Sequence, residues 1–80
     1  MTATSAPADV PLHTLLNQVI RARSELARER HANHGPAALD SARAQMVRSL
    51  EAYTGALTNR HLPVPYALRD ELRTQRGASR

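Results

Sequence analysis

The first run of regularly spaced apolar positions lies near the N-terminus and weakens after Leu26. Its intervals alternate between three and four residues, which places the side chains along one face of an α-helix. Asp9 is the expected N-cap of this helix, and Pro11 is tolerated in its first turn. The helix should end near Asn33 or His34. The apolar positions are Leu12, Leu15, Leu16, Val19, Ile20, Leu26 and Ala27.

A second apolar stripe follows the dipeptide Gly35-Pro36. Glycine favours the left-handed conformation that ends many helices, and proline is favoured at the first position of the next one. We therefore predict a second helix from about Ala37 to Arg60, with a coiled-coil-like spacing of its apolar residues. Gly55 lies inside this helix, and the close approach of a neighbouring helix is the expected reason for it. The stripe comprises Leu39, Ala42, Met46, Leu50, Tyr53 and Leu57.

The short connection between these helices predicts an antiparallel helical hairpin, because a link of a few residues makes the second helix run back along the first. Folding the chain about residue 36 brings the two apolar stripes together along most of their length. The expected pairs are Leu26 with Met46, Val19 with Tyr53 and Leu16 with Leu57. The agreement between two stripes identified separately supports this hairpin.

A short third helix is predicted after a linker that contains two prolines. Pro63 and Pro65 hold the linker extended, since proline fixes its own backbone angle and restricts the residue before it. The helix should span about residues 65–76, with a thin apolar side formed by Leu68 and Leu72 and helped by Tyr66 or Ala67. We expect the linker and this helix to fold back over the open end of the hairpin. The predicted fold class is therefore all-α.

Length and composition indicate one small domain. With 80 residues the chain is expected to have a disordered tail at 1–8, a helical unit at 9–76 and a frayed end at 77–80. The absence of cysteine excludes disulfides and thiolate metal sites. No secretory signal is visible, and the apolar runs are far shorter than the ~20 residues that a membrane span needs. We therefore expect no membrane association and a cytoplasmic location.

The number of apolar positions exceeds what a seam between two helices can bury, and this excess predicts a partner. A domain of this size gains little net stability from a single core. We expect a homodimer, most simply a four-helix bundle, or docking on another helical protein. The expected interface residues are Leu15, Val19, Ile20, Met46, Leu50, Tyr53 and Leu57.

Positive charge is concentrated in the C-terminal quarter of the chain. The net charge is +4, and residues 60–80 hold five arginines against two acidic residues, a net of +3. Arginines spaced by four, three and four residues form a basic stripe on the predicted third helix. The stripe can contact phosphates with strongly salt-dependent affinity, or it can be an ordinary solvated face. Its members are Arg69, Arg73, Arg76 and Arg80.

Two further polar features each admit two interpretations. Arg23 lies between apolar neighbours, where a buried arginine can bind an anion or set the helix register. The favoured alternative is that its side chain reaches the edge of the seam and pairs with Glu51 across the hairpin. His31 and His34 have a spacing that can chelate a metal, but no suitable third ligand completes the set. We therefore expect no metal and no cofactor.

These features favour a role without catalysis. No serine or cysteine nucleophile stands in a pattern with a histidine and an acid, so no enzyme is predicted. The leading hypothesis is a protein–protein interaction or regulatory adaptor module that acts through the hairpin. The alternative is a small basic nucleic-acid-binding protein that uses Arg69, Arg73 and Arg76. No helix-turn-helix signature or set of stacking aromatic residues was recognised beside that stripe.

Overall fold

Residues 10–78 are described by a computed structural model, and they form three α-helices. The helices are α1 (Leu12–Ala32), α2 (Pro36–Asn59) and α3 (Tyr66–Ala78). The predicted all-helical class is confirmed, and α3 continues past its expected end at Arg76. The tail predicted at 1–8, the cap at Asp9 and the C-terminal Arg80 lie outside the described residues. None of the helices described combines the length and the apolar content that crossing a bilayer requires.

α1 ends at Ala32 with Asn33 as its C-cap, close to the predicted end, but the left-handed residue is this asparagine and not Gly35. Asn33 adopts φ 59° and ψ 43°, a left-handed conformation that asparagine tolerates better than most residues. Gly35 instead has φ 104° and ψ 165°, which a residue with a side chain rarely adopts. Pro36 is the first residue of α2, as the sequence predicted. The connection between α1 and α2 is therefore only three residues long, 33–35.

A second left-handed residue ends α2 and directs the chain toward α3. His61 has φ 59°, and the amide of Leu62 donates to the carbonyl oxygen of Leu57 at 2.9 Å. This bond closes the last turn in the manner of a Schellman motif. The two prolines of the linker follow, and the carbonyl of Pro65 accepts the amide of Leu68 at 3.0 Å to open α3.

The apolar core lies between α1 and α2, and α3 packs against α2 at its edge. Three side chains in it have essentially no exposed surface: Val19, Met46 and Leu50. Ala22, Leu26 and Ala42 complete this central cluster. The partly buried side chains packed against it are Leu39, Tyr53, Leu68 and Leu72. Leu68 and Leu72, which the sequence placed on the apolar side of the third helix, thus contribute to the core.

Gly55 lies in open space, so the close helix approach expected there is wrong. A methyl group added to Gly55 would meet no atom within 4 Å. Gly55→Ala should therefore stabilise the protein by about 1 kcal/mol, because alanine is the better helix former. For a chain of this size the melting temperature should rise by about 4–8 °C, which thermal denaturation followed by circular dichroism would measure.

The control for this substitution is Gly35→Ala. Gly35 also has free space around it, but its φ of 104° strains any residue with a Cβ atom. We expect Gly35→Ala to lower the melting temperature while Gly55→Ala raises it. An unchanged or lower melting temperature for Gly55→Ala would show that this part of α2 departs from a regular helix.

Candidate functional site

The three arginines predicted to bind an anion lie along one cleft between α2 and α3. The cleft has a volume of about 760 Å³, which is within the ~300–1,000 Å³ typical of small-ligand sites. Arg69, Arg73 and Arg76 line it on the α3 side. On the α2 side and in the linker it is lined by Glu51, Thr54, Gly55, Thr58, Asn59 and Val64.

The three arginines differ in how far their charge is neutralised. Arg76 is paired with Glu51 of α2, with a 3.2 Å bond between its Nε and Oε2 of the carboxylate. Arg73 lies 3.8 Å from Asp70 on its own helix, and both side chains are well exposed. Arg69 forms no ion pair within residues 10–78. The cleft therefore has an excess of positive charge that is greatest at Arg69.

The hydroxyl groups in the cleft already donate to the backbone of α2. Thr54 Oγ1 donates to the carbonyl of Leu50 at 2.8 Å, and Thr58 Oγ1 donates to the carbonyl of Thr54 at 3.0 Å. A hydroxyl has one proton, so neither threonine can donate to a bound anion without breaking that bond. The donors left for an anion in the cleft are therefore the guanidinium groups and the side-chain amide of Asn59.

Tyr66 belongs to the same side of α3 as the arginines and is exposed, whereas the sequence pattern suggested Tyr66 or Ala67 for the apolar side of this helix. It lies three residues before Arg69, and Arg73 and Arg76 follow at intervals of four and three residues, so all four lie on one side of the helix. Its side chain is 78% exposed, the highest value among the large hydrophobic residues in the described part of the chain. The spacing alone could have identified this aromatic residue as a member of the basic stripe.

Arg23 pairs with α3, so its predicted pairing with Glu51 is wrong. Its Nε and Nη2 donate to Glu71 Oε2 and Oε1 at 3.0 and 2.8 Å, while 49% of its side chain stays exposed. These hydrogen bonds raise the pKa of the Arg23 guanidinium, with a further contribution from the carboxylate charge and an opposing one from burial. Glu51 is instead the partner of Arg76. One ion pair thus links α3 to α1, and another links it to α2.

The seven predicted interface residues differ widely in exposure. Five of them are buried within the chain: Leu15, Val19, Met46, Leu50 and Leu57. Tyr53 is partly buried, and Ile20 is 47% exposed. Their contact with a partner stays a prediction. In this conformation Ile20 offers the most surface of the seven, and Leu16, one turn earlier, is 36% exposed.

The histidines near the end of α1 have local partners. His31 Nδ1 lies 2.8 Å from the carbonyl oxygen of Ala27, and His34 Nδ1 lies 3.1 Å from Oε1 of Glu29. Among the residues described, no three histidine, aspartate or glutamate side chains are grouped so that they could hold a metal ion.

Comparison with known proteins gives no further guide to function. No family model, no curated protein and no solved structure matches this chain.

Proposed function

We propose that the chain is a non-enzymatic interaction module in which α1 and α2 form an antiparallel helical hairpin that associates with a second copy. The hairpin geometry is supported by the short connection at 33–35 and by a bond between distant parts of the chain. Arg60, at the end of α2, donates through Nη2 to the carbonyl oxygen of Val10, just before α1, at 2.8 Å. The ends of the two helices farthest from their connection are thus adjacent, as an antiparallel pair requires.

The observation that supports association is the uncovered pair Leu16 and Ile20. They are four residues apart on α1, so they are neighbours on one face of the helix. Leu16 is 36% and Ile20 47% exposed, although the other large apolar side chains toward the middle of α1 are buried. Removing this apolar surface from water on association is favourable, so the pair can form the centre of an interaction surface.

The charge pattern around this pair favours a second copy as the partner. The exposed positions on this face of α1 are His13, Leu16, Asn17, Ile20, Arg23, Ser24, Ala27, Arg30 and His31. Arg23 is the arginine nearest to this pair, and Glu71 neutralises it. Arg30 lies on the same face but about 15 Å farther along the helix axis than Ile20. Two such faces can therefore meet across a two-fold axis near Ile20 without strong repulsion. We infer a homodimer with the four α1 and α2 helices of two chains in one bundle.

The substitution Ile20→Asp tests this proposal, with Gln18→Asp as the matched control. Gln18 is exposed on α1 but points away from the Leu16–Ile20 face, since two residues correspond to about 200° of helical rotation. We expect the unmodified chain and Gln18→Asp to reach the mass of two chains as concentration rises in sedimentation equilibrium. Ile20→Asp should keep the mass of one chain, because the dimer would bury two carboxylates in its apolar centre.

Two results would contradict the homodimer. One is an unmodified chain that stays monomeric at every concentration at which it is soluble. The other is an Ile20→Asp variant that dimerises as strongly as Gln18→Asp, which would remove the Leu16–Ile20 face from the interface.

A further inference from the structure

We propose that the cleft between α2 and α3 binds single-stranded nucleic acid, with phosphates at Arg69, Arg73 and Arg76 and a base stacked on Tyr66. This site goes beyond the interaction module proposed above and uses a different surface. The dimer would form on the outer face of α1, whereas the nucleic acid would bind along α3 and the second half of α2.

The three arginines of the cleft are unevenly paired with acidic side chains. Arg69 has no acidic partner in the part of the chain that the structure describes, so its full charge is available. The contact between Arg73 and Asp70 is long at 3.8 Å, and the two exposed side chains can separate at little cost. Arg76 keeps Glu51 as its partner and can still donate through its remaining guanidinium protons. A phosphate chain therefore meets one cation without an acidic partner in the described residues, Arg69. It also meets one weakly paired cation, Arg73, and one cation in a close ion pair, Arg76.

The spacing of the arginines suits consecutive phosphates of one strand. A rise of about 1.5 Å per residue puts Arg69 and Arg76 about 10 Å apart along the axis of α3. Phosphates in one strand of a duplex follow each other at about 3.4 Å along its axis, and an extended strand spaces them more widely. The three arginines therefore span about two to four nucleotides. The cleft volume of about 760 Å³ is consistent with a ligand of this modest size.

Tyr66 favours a single strand over a duplex and over simple polyanions. Tyr66 is 78% exposed and lies on the same helical stripe as the arginines, three residues before Arg69. Binding of single strands typically combines a basic groove along the backbone with aromatic side chains on which bases stack. In a duplex the base faces are already stacked on one another, and inorganic polyphosphate has no base. An exposed aromatic residue on the same face of α3 as the three arginines therefore adds affinity for a single strand alone.

The test measures the fluorescence anisotropy of a labelled oligothymidylate titrated with the full chain at about 50 and 200 mM salt. We expect binding that weakens steeply with salt. The double variant Arg69→Gln/Arg73→Gln should lose roughly tenfold or more in affinity and reduce the slope of log affinity against log salt by about 1.4, since each phosphate contact with a single strand contributes about 0.7. The control Arg21→Gln/Arg30→Gln removes the same charge from exposed positions of α1 and should have a much smaller effect.

The role of Tyr66 is tested separately, because it distinguishes stacking from attraction by charge. Tyr66→Ala should weaken oligothymidylate binding by about fivefold or more, and Tyr66→Phe should restore it, since the ring is kept. The same Tyr66→Ala variant should bind inorganic polyphosphate as the unmodified chain does. Circular dichroism of each variant checks that the helices are retained. We expect them to be, because all the substituted side chains are exposed.

Several outcomes would overturn the proposal. The first is no binding of oligothymidylate at about 50 mM salt. The second is equal weakening by the cleft pair and by the α1 control pair, which would indicate attraction to net charge alone. The third is a Tyr66→Ala variant with unchanged affinity, or a duplex of matched length that binds more tightly than the single strand.

Discussion

Replacing Leu50 with aspartate should abolish the helical fold. Leu50 has no exposed surface and lies in the central cluster with Val19 and Met46. An isolated carboxylate there has no partner, and its burial costs several kcal/mol even if it takes up a proton. The loss of the leucine side chain adds about 2–5 kcal/mol, as is typical of large-to-small changes in a core. Domains of this kind are stable by only about 5–15 kcal/mol in total.

Far-UV circular dichroism measures this effect, and Ala52→Asp is the matched control. Ala52 lies two residues after Leu50 on α2 and is exposed, so the same charge there stays in water. We expect Ala52→Asp to keep nearly all of the helical signal, whereas Leu50→Asp should lose most of it. A Leu50→Asp variant with full helicity and an unchanged urea midpoint would contradict the core described here.

The central core could be predicted from the sequence because it depends on local periodicity. Val19 and Leu26 on α1, and Met46 and Leu50 on α2, follow the intervals of three and four that define one helix face, and all four are buried. Ile20 was assigned to the same stripe, yet it is 47% exposed. It is about 100° around the helix from Val19, so α2 cannot cover both side chains at once.

Small residues were harder to place than large ones. Ala22, Ala56 and Ser49 are buried, although none was part of the predicted stripes. Each is a poor indicator of burial in a sequence, because alanine and serine occur on both faces of helices and lose little when exposed. They are buried because helices that pack closely need small side chains at some of the contact positions.

The position of α3 could not be derived from spacing within any one helix. Arg23 and Glu71 are 48 residues apart, and 25 residues separate Glu51 from Arg76. The sequence predicted a carboxylate partner for Arg23 at the edge of the seam and named Glu51. Which glutamate lies beside Arg23 depends on where the linker places α3, and the structure brings Glu71 there. The arginine stripe, by contrast, was evident from spacing, and Tyr66 belongs to it by the same rule.

The second large effect is expected at Leu72, which holds α3 in place. Leu68 and Leu72 are the two apolar side chains through which α3 packs on the core cluster. Leu72→Asp should detach α3, because a carboxylate facing the core outweighs what the two surface ion pairs contribute. The central α1–α2 cluster has no member on α3, so those helices should remain folded.

Limited digestion with trypsin measures this detachment, since the enzyme cleaves after arginine and α3 contains three described arginines. We expect Leu72→Asp to be cut rapidly within α3 and to lose helical signal equivalent to that helix of 13 residues. Thr74→Asp, which introduces the same charge at an exposed position of α3, should be cut as slowly as the unmodified chain. Equal cleavage rates for the two variants would mean that Leu72 does not hold α3 against the core. Loss of all helicity in Leu72→Asp would instead show that α1 and α2 need α3 in order to fold.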